Sequence, residues 1–190
     1  DGDAARGHFA RAIAGGTSSG AAGLVASARL SFAELAFASG DVPGALAAAT
    51  EARAALQTAF GRGLAYADAS ANVAAYTVAE GDVDGARALA REALELARDL
   101  DFPHRAAAYI ETLALVAILR ASVDAAAFLF GFADAERARH AEPRSATERA
   151  GADRLLALLR DALPPAQLTE RLARGAIAGL ERAIAEALSV

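Results

Sequence analysis

The sequence contains no cysteine, no lysine and no tryptophan, and it holds only three histidines. Without cysteine, a disulfide framework, a thiolate metal site and a cysteine nucleophile are excluded. Without lysine, the lysine of a phosphate-binding loop and Schiff-base chemistry are excluded. His8, His104 and His140 lack the spacing typical of metal ligands on a helix. We therefore expect no cofactor, no metal site and no enzymatic activity.

Long apolar runs are also missing. No segment approaches the roughly 20 apolar residues that a membrane-spanning helix needs. Asp1-Gly2-Asp3 is polar, unlike the start of a signal peptide. These features lead us to expect a cytoplasmic protein without membrane contact. The chain does not begin with methionine, and we expect it to be part of a longer protein.

Alanine is the most frequent residue of the sequence, and arginine is its only basic residue apart from histidine. All 19 basic residues are arginine, and 57 of the 190 residues are alanine. Alanine is the strongest helix former and occupies little volume, which predicts many helices packed at close range. The net charge of −5 and the isoelectric point of about 5.2 argue against direct contact with nucleic acid.

Three stretches of the sequence align with one another at a period of 40 to 41 residues. They are GDVPGALAAATEA from Gly40, GDVDGARALAREA from Gly81, and ASVDAAAFLFGFA from Ala121. A partial fourth copy begins at Gly2, with Gly7 and Ala14 in the paired small positions. Self-similarity at such a period indicates a repeat architecture built from helix pairs. In the three full copies the small residues seven positions apart are Ala45/Ala52, Ala86/Ala93 and Ala126/Ala133.

Local chemistry predicts where these helices begin and end. Glycine at Gly40 and Gly81 suits a left-handed helix end, and the following aspartates suit the cap of the next helix. Pro43 and Pro103 suit a first helical turn. Short connections predict antiparallel neighbours. The expected helices are 3–14, 20–39, 43–59, 62–79, 83–99, 103–119 and 123–139, with a flexible glycine-rich linker at 15–20.

The repeat fades after about residue 140. Ser145 and Glu148 form a capping-box pattern that predicts a helix to about Ala162. A further helix is expected over 165–173, ended by Gly175, and a last one over 177–188. Because a helical array needs a cap over its apolar end, we expect residues 1–140 to be repeats and residues 141–190 to be capping helices of the same domain.

The segment ARALAREALELARDL, residues 86–100, resembles the second helix of a tetratricopeptide repeat, with Ala86, Ala90 and Ala93 at the small positions of that motif. The aromatic positions of the motif are not kept, and the period exceeds that of the family. The C-terminal stretches AAAFLFGFADAERAR and RGAIAGLERAIAEAL are similar to the end of LuxR-type and other ATPase-containing bacterial transcriptional regulators. The resemblance implies an all-α superhelix of antiparallel helix pairs with a helical cap, acting as a sensor or partner-binding arm.

In such arrays the first helix of each pair lines the concave surface. The residues expected to bind a ligand or partner there are Arg29, Glu34, Asp68, Asn72, Tyr76, Tyr109 and Glu111. Tyrosine and arginine are frequent among the residues that dominate binding energy, although each of these side chains could instead serve packing or solvation. The expected partner is a protein, a peptide or a small-molecule effector. The alternative is a structural module that self-associates into a homodimer.

Overall fold

The computed structural model describes residues 2–18 and 20–190, and within them the chain is all-helical, without a strand. The predicted all-α class is confirmed. Ten helices are described: α1 Gly2–Ser18, α2 Ala22–Ala38, α3 Val42–Phe60, α4 Leu64–Glu80, α5 Val83–Asp99, α6 Pro103–Leu119, α7 Val123–His140, α8 Ala146–Ala162, α9 Pro165–Ala176 and α10 Leu180–Ser189.

The repeated turns have the predicted chemistry. Gly40 and Gly81 both have positive φ, at 87° and 97°. Asp41 and Asp82 each accept a hydrogen bond from a backbone N–H three residues later, at 2.9 Å. In the third copy Ala121 takes the place of glycine and keeps a positive φ of 63°. An L-residue is strained in this conformation, so the third copy preserves the turn geometry at an energetic cost.

The helices from α1 to α7 pack against their neighbours in sequence and form two layers. α4 contacts both α2 and α6, and these three helices form one layer. On it, α3 packs against α2 and α4, α5 packs against α4 and α6, and α7 packs against α6. The predicted alanine pairs lie between the layers. All six alanines, from Ala45 to Ala133, are fully buried. Ala14 of the partial first copy is exposed, so the fourth copy does not repeat this packing.

The last three helices do not continue the two layers in sequence. α8 turns back and packs against α2, α4 and α6. It covers the face of this layer that was predicted to bind a partner. α9 packs along α7 instead. α10 contacts α5, α6 and α7, and Arg87 and Arg91 of α5 donate hydrogen bonds to carbonyl oxygens of Val190 and Leu188.

The α7–α9 crossing depends on two glycines. A Cβ at Gly131 would lie 2.8 Å from the Leu172 carbonyl carbon and closer to its oxygen, and a Cβ at Gly175 would lie 2.9 Å from the Phe128 carbonyl carbon. The prediction that Gly175 ends a helix was therefore wrong, because α9 runs through it to Ala176. Gly175 permits backbone contact between two helices.

The predicted linker at 15–20 was also wrong over part of its length. α1 continues through Gly15 and Gly16 to Ser18, and Ser19 lies outside the described residues. Gly16 is buried, and a Cβ there would lie 2.7 Å from Val25. Gly16 thus permits close packing of α1 on α2, and Gly20, with a positive φ of 70°, provides a turn.

Candidate functional site

Two of the seven predicted binding residues contact the segment that begins α8. Glu34 on α2 accepts hydrogen bonds from the Ser145 hydroxyl at 3.2 Å and from the backbone N–H of Thr147 at 3.4 Å. The Tyr76 hydroxyl on α4 lies 3.5 Å from the Thr147 hydroxyl. Tyr76 is completely buried, and burial raises the pKa of its hydroxyl above the usual range. Ser145 and Thr147, at the start of α8, therefore contact the polar groups of Glu34 and Tyr76 that were predicted to bind a partner.

Asp68 and Tyr109 form a second polar group between α4 and α6. The Tyr109 hydroxyl donates to Asp68 Oδ1 at 2.5 Å, and Arg105 donates to the same oxygen through Nε and Nη2 at 3.0 and 2.6 Å. Tyr109 is 1% exposed. Burial, with the neighbouring Asp68 charge, raises the pKa of this hydroxyl. These contacts join two helices of the same layer.

Glu111 is the buried charged residue of the set, at 5% exposure. It receives hydrogen bonds from Arg144, from Nε at 3.1 and 3.0 Å and from Nη2 at 2.7 Å. Burial raises the pKa of the Glu111 carboxyl, against the opposing effect of Arg144. Arg144 lies in the α7–α8 connection and also pairs with Asp134, so the ion pair holds this connection against α6.

The two remaining residues lie apart from this cluster. Arg29 turns towards α3 and pairs with Glu51 at 2.9 Å. Asn72 is half-buried on α4 and makes no hydrogen bond among the described residues. The structure thus brings Glu34, Tyr76 and Glu111 together beside α8, places Asp68 and Tyr109 next to them, and leaves Arg29 on another face.

An open cleft of about 1130 Å³ lies next to this cluster, between α7, α8, α9 and the α7–α8 connection. Its apolar walls include Phe130 of α7, Leu156 of α8, and Leu168 and Leu172 of α9. Its charged lining consists of Asp134, Arg137, Glu142, Arg144, Arg149, Asp153 and Arg160. A concave, mostly apolar space with a few convergent polar groups is the usual form of a ligand site.

Arg137 is the most unusual residue in this lining. Its side chain is 3% exposed, and Nη2 donates to Glu148 at 2.7 Å. Nε lies 3.7 Å from Glu111 and Nη1 lies 3.9 Å from Glu142, both beyond hydrogen-bond distance. Within the described part of the chain, Nε and Nη1 therefore have no acceptor. A buried polar group without a hydrogen bond is costly and is rare in folded proteins.

Arg137 was not among the binding residues predicted from the sequence, although its position in the pattern could have identified it. Ala126, Phe130, Ala133 and Arg137 follow one another at helical spacing along the buried face of α7. An arginine on such an apolar stripe must be paired internally or must serve a ligand. The wall supplied by α9 could not be inferred, because it depends on how α9 crosses α7.

Two further features of the described residues bear on function. They contain no group of three or more histidine, aspartate or glutamate side chains that could hold a metal ion. No helix among them has the length and apolar character needed to cross a membrane. Comparisons with known protein families, with curated proteins and with solved structures give no match to this chain.

Proposed function

We propose that this chain is a non-catalytic binding module, and that its ligand or partner occupies the cleft between α7, α8 and α9. The observation that carries the proposal is the cleft itself, a concave space of about 1130 Å³ with apolar walls on α7, α8 and α9 and charged side chains that include Arg149 and Arg160. The module acts as a sensor arm if binding differs in affinity between two states of a larger protein.

The resemblance of residues 86–100 and of the C-terminal stretches supports the wider setting. We propose a tetratricopeptide-like array that belongs to a bacterial signalling or transcriptional regulator. The position of α8 changes the expected mode of binding. Because α8 packs on α2, α4 and α6, a partner at Glu34 or Tyr76 would have to displace α8, whereas the cleft is accessible without such a change.

A second candidate function is a scaffold that self-associates. It is favoured by two large apolar side chains that lie on the surface of the first helix pair. Leu24 is 57% exposed and Phe60 is 66% exposed. Phe60 lies beside Gly23 of α2, so both residues belong to one end of the α2–α3 pair. Association through this patch would leave the cleft unchanged.

A thermal-shift screen of metabolites and short peptides, combined with light scattering, tests the two candidates together. A compound that binds only the folded state must raise Tm. The decisive comparison uses Ala138→Trp, which places a large side chain at an exposed position in the cleft lining, and Ala54→Trp, which does the same on α3.

We expect a compound to raise Tm of the wild-type protein and of Ala54→Trp but not of Ala138→Trp. Equal responses of both variants would place the binding site outside the cleft. A concentration-dependent dimer that Phe60→Ser abolishes, together with no compound response, would contradict the binding module and support the scaffold.

A further inference from the structure

We infer that the cleft between α7, α8 and α9 binds an acidic amphipathic helix of a protein partner. The apolar side chains of this helix pack on the walls of the cleft, and two of its acidic side chains pair with Arg149 and Arg160. The inference rests on the proposed function and names the ligand class of the same site. It follows from the charges of the cleft, from the spacing of these two arginines, and from the apolar walls.

The inner charges of the cleft are already paired within the protein. Asp134 lies 2.8 Å from the guanidinium group of Arg144. Glu142 lies 3.7 Å from the guanidinium group of Arg105 and 3.9 Å from that of Arg137. Because these groups balance one another, they add little net charge towards a ligand.

The outer charges of the cleft have no such partners. Arg149 and Arg160 of α8 are exposed and line the cleft. Neither guanidinium group forms an ion pair with a residue that the structure describes. Asp153, the remaining charged residue of the lining, is also exposed and forms no ion pair within the same part of the chain. Two available arginines against one aspartate favour an acidic partner.

The spacing of the two arginines favours a helix over a small anion. Arg149 and Arg160 are 11 positions apart, which is about three helical turns. They therefore lie on one face of α8, about 16 Å apart along its axis, with Leu156 between them. A single carboxylate or phosphate cannot contact both guanidinium groups over this distance. A partner helix with acidic residues 11 positions apart carries its charges at the same spacing.

The walls of the cleft suit the apolar face of such a helix. Phe130 of α7, Leu156 of α8, and Leu168 and Leu172 of α9 line it. Its volume of about 1130 Å³ exceeds the usual range for small-molecule sites. An amphipathic helix that lays its apolar face into a hydrophobic groove is a recurrent mode of peptide recognition.

The wall formed by α9 is fixed in advance. The close crossing at Gly131 and Gly175 leaves no room for a side chain between α7 and α9, so Leu168 and Leu172 are held in place before a ligand arrives. A prearranged site loses less conformational entropy on binding.

The test uses two capped peptides of identical composition and charge, acetyl-EAQLLAQLAQLEAQ-amide and acetyl-QAELLAQLAELQAQ-amide. As helices, the first carries both glutamates on its leucine face with the spacing of Arg149 and Arg160, and the second carries them on the opposite face. Affinities are measured by calorimetry at neutral pH and low salt with the whole chain. We expect the first peptide to bind about tenfold tighter than the second.

Arginine variants test which residues read the charge. Arg149→Gln and Arg160→Gln should each weaken binding of the first peptide by about threefold, and the double variant by about tenfold, because the two sites are far enough apart to act independently. Affinity for the second peptide should change less than about twofold. The control is the double variant Arg174→Gln with Arg182→Gln, which removes the same charge from exposed arginines outside the cleft lining. It should change neither affinity by more than about twofold.

Equal affinities of the wild-type protein for the two peptides, or equal losses in both double variants, would overturn the inference. Binding of decanoate but of neither peptide would also overturn it and would assign the cleft to a small anionic amphiphile. If neither peptide binds but a compound from the screen stabilises the wild-type protein and not Ala138→Trp, the helix class is wrong and the binding module stands. If no peptide and no compound binds, the proposed function itself fails.

Discussion

Replacement of Gly131 by alanine tests the α7–α9 crossing on which the cleft depends. In most helix interiors this change is favourable, because alanine exceeds glycine in helix propensity by about 1 kcal/mol. At Gly131 the added methyl group would lie 2.8 Å from the Cα and the carbonyl carbon of Leu172 and closer still to the carbonyl oxygen. These are backbone atoms, so the contact can be relieved only if α9 moves away from α7.

The expected magnitude follows from the balance of these two effects. Forced separation of packed elements costs about 1–3 kcal/mol, and here it also opens contacts around Leu168 and Phe132, which are buried. After the gain in helix propensity, we expect a net loss of about 1–2 kcal/mol in the free energy of unfolding. For a chain of this length each kcal/mol corresponds to about 2–4 °C in Tm, so Tm should fall by about 2–8 °C.

Gly151→Ala is the matched control on α8. A Cβ at Gly151 would meet its nearest neighbour, a methyl carbon of Leu115, at 3.9 Å, which is ordinary van der Waals distance. Only the propensity effect remains, and Tm should rise by about 2–4 °C. Thermal unfolding followed by circular dichroism measures both variants, and it needs no tryptophan. A rise in Tm for Gly131→Ala equal to that of Gly151→Ala would refute the close crossing.

Three other predictions concern the repeats and the buried tyrosines. Ala121→Gly should raise the free energy of unfolding by about 1 kcal/mol in urea titrations, because it relieves the positive φ of 63°; a loss of stability would show that the turn differs. Ala86→Leu should lower it by about 1–3 kcal/mol, because Ala86 is fully buried between layers, and no change would place this alanine outside the packed interface. Because burial raises the pKa of Tyr76 and Tyr109, absorbance titration should find both protonated in the native state at pH values where the unfolded chain ionises all its tyrosines, at about pH 10. Their contribution to stability is complete below that pH and is lost as the pH rises towards the higher native values, so ionisation of Tyr76 and Tyr109 at about pH 10 without unfolding would contradict their burial.

The sequence predicted the helices well because local chemistry decides most of their ends. Gly40 with Asp41, Gly81 with Asp82, and the Ser145–Glu148 capping box act over a few residues and can be recognised without knowledge of the fold. Gly175 was misjudged because a glycine that permits close helix contact looks the same in sequence as one that ends a helix. Its role depends on Phe128, 47 positions earlier in the chain.

The candidate site was harder to predict for the same reason. The path of α8 across α2, α4 and α6 is set by contacts such as Glu34 with Ser145, which lie 111 residues apart. A repeat pattern predicts contacts between successive helices and carries no information about a helix that leaves the series. Tyr76 and Glu111 were therefore expected on an open surface but are buried beside α8. Arg137 could have been identified from the sequence, because it continues the buried apolar stripe of α7.

Hydrogen–deuterium exchange with and without a compound that raises Tm tests the central claim most directly. The account predicts slower exchange on binding in three segments that line the cleft: 137–144, 152–160 and 165–172. Exchange in α3 and α5, which do not line it, should stay unchanged. Protection confined to α2 and α3, with no change in the three cleft segments, would contradict the assignment of this cleft as the binding site.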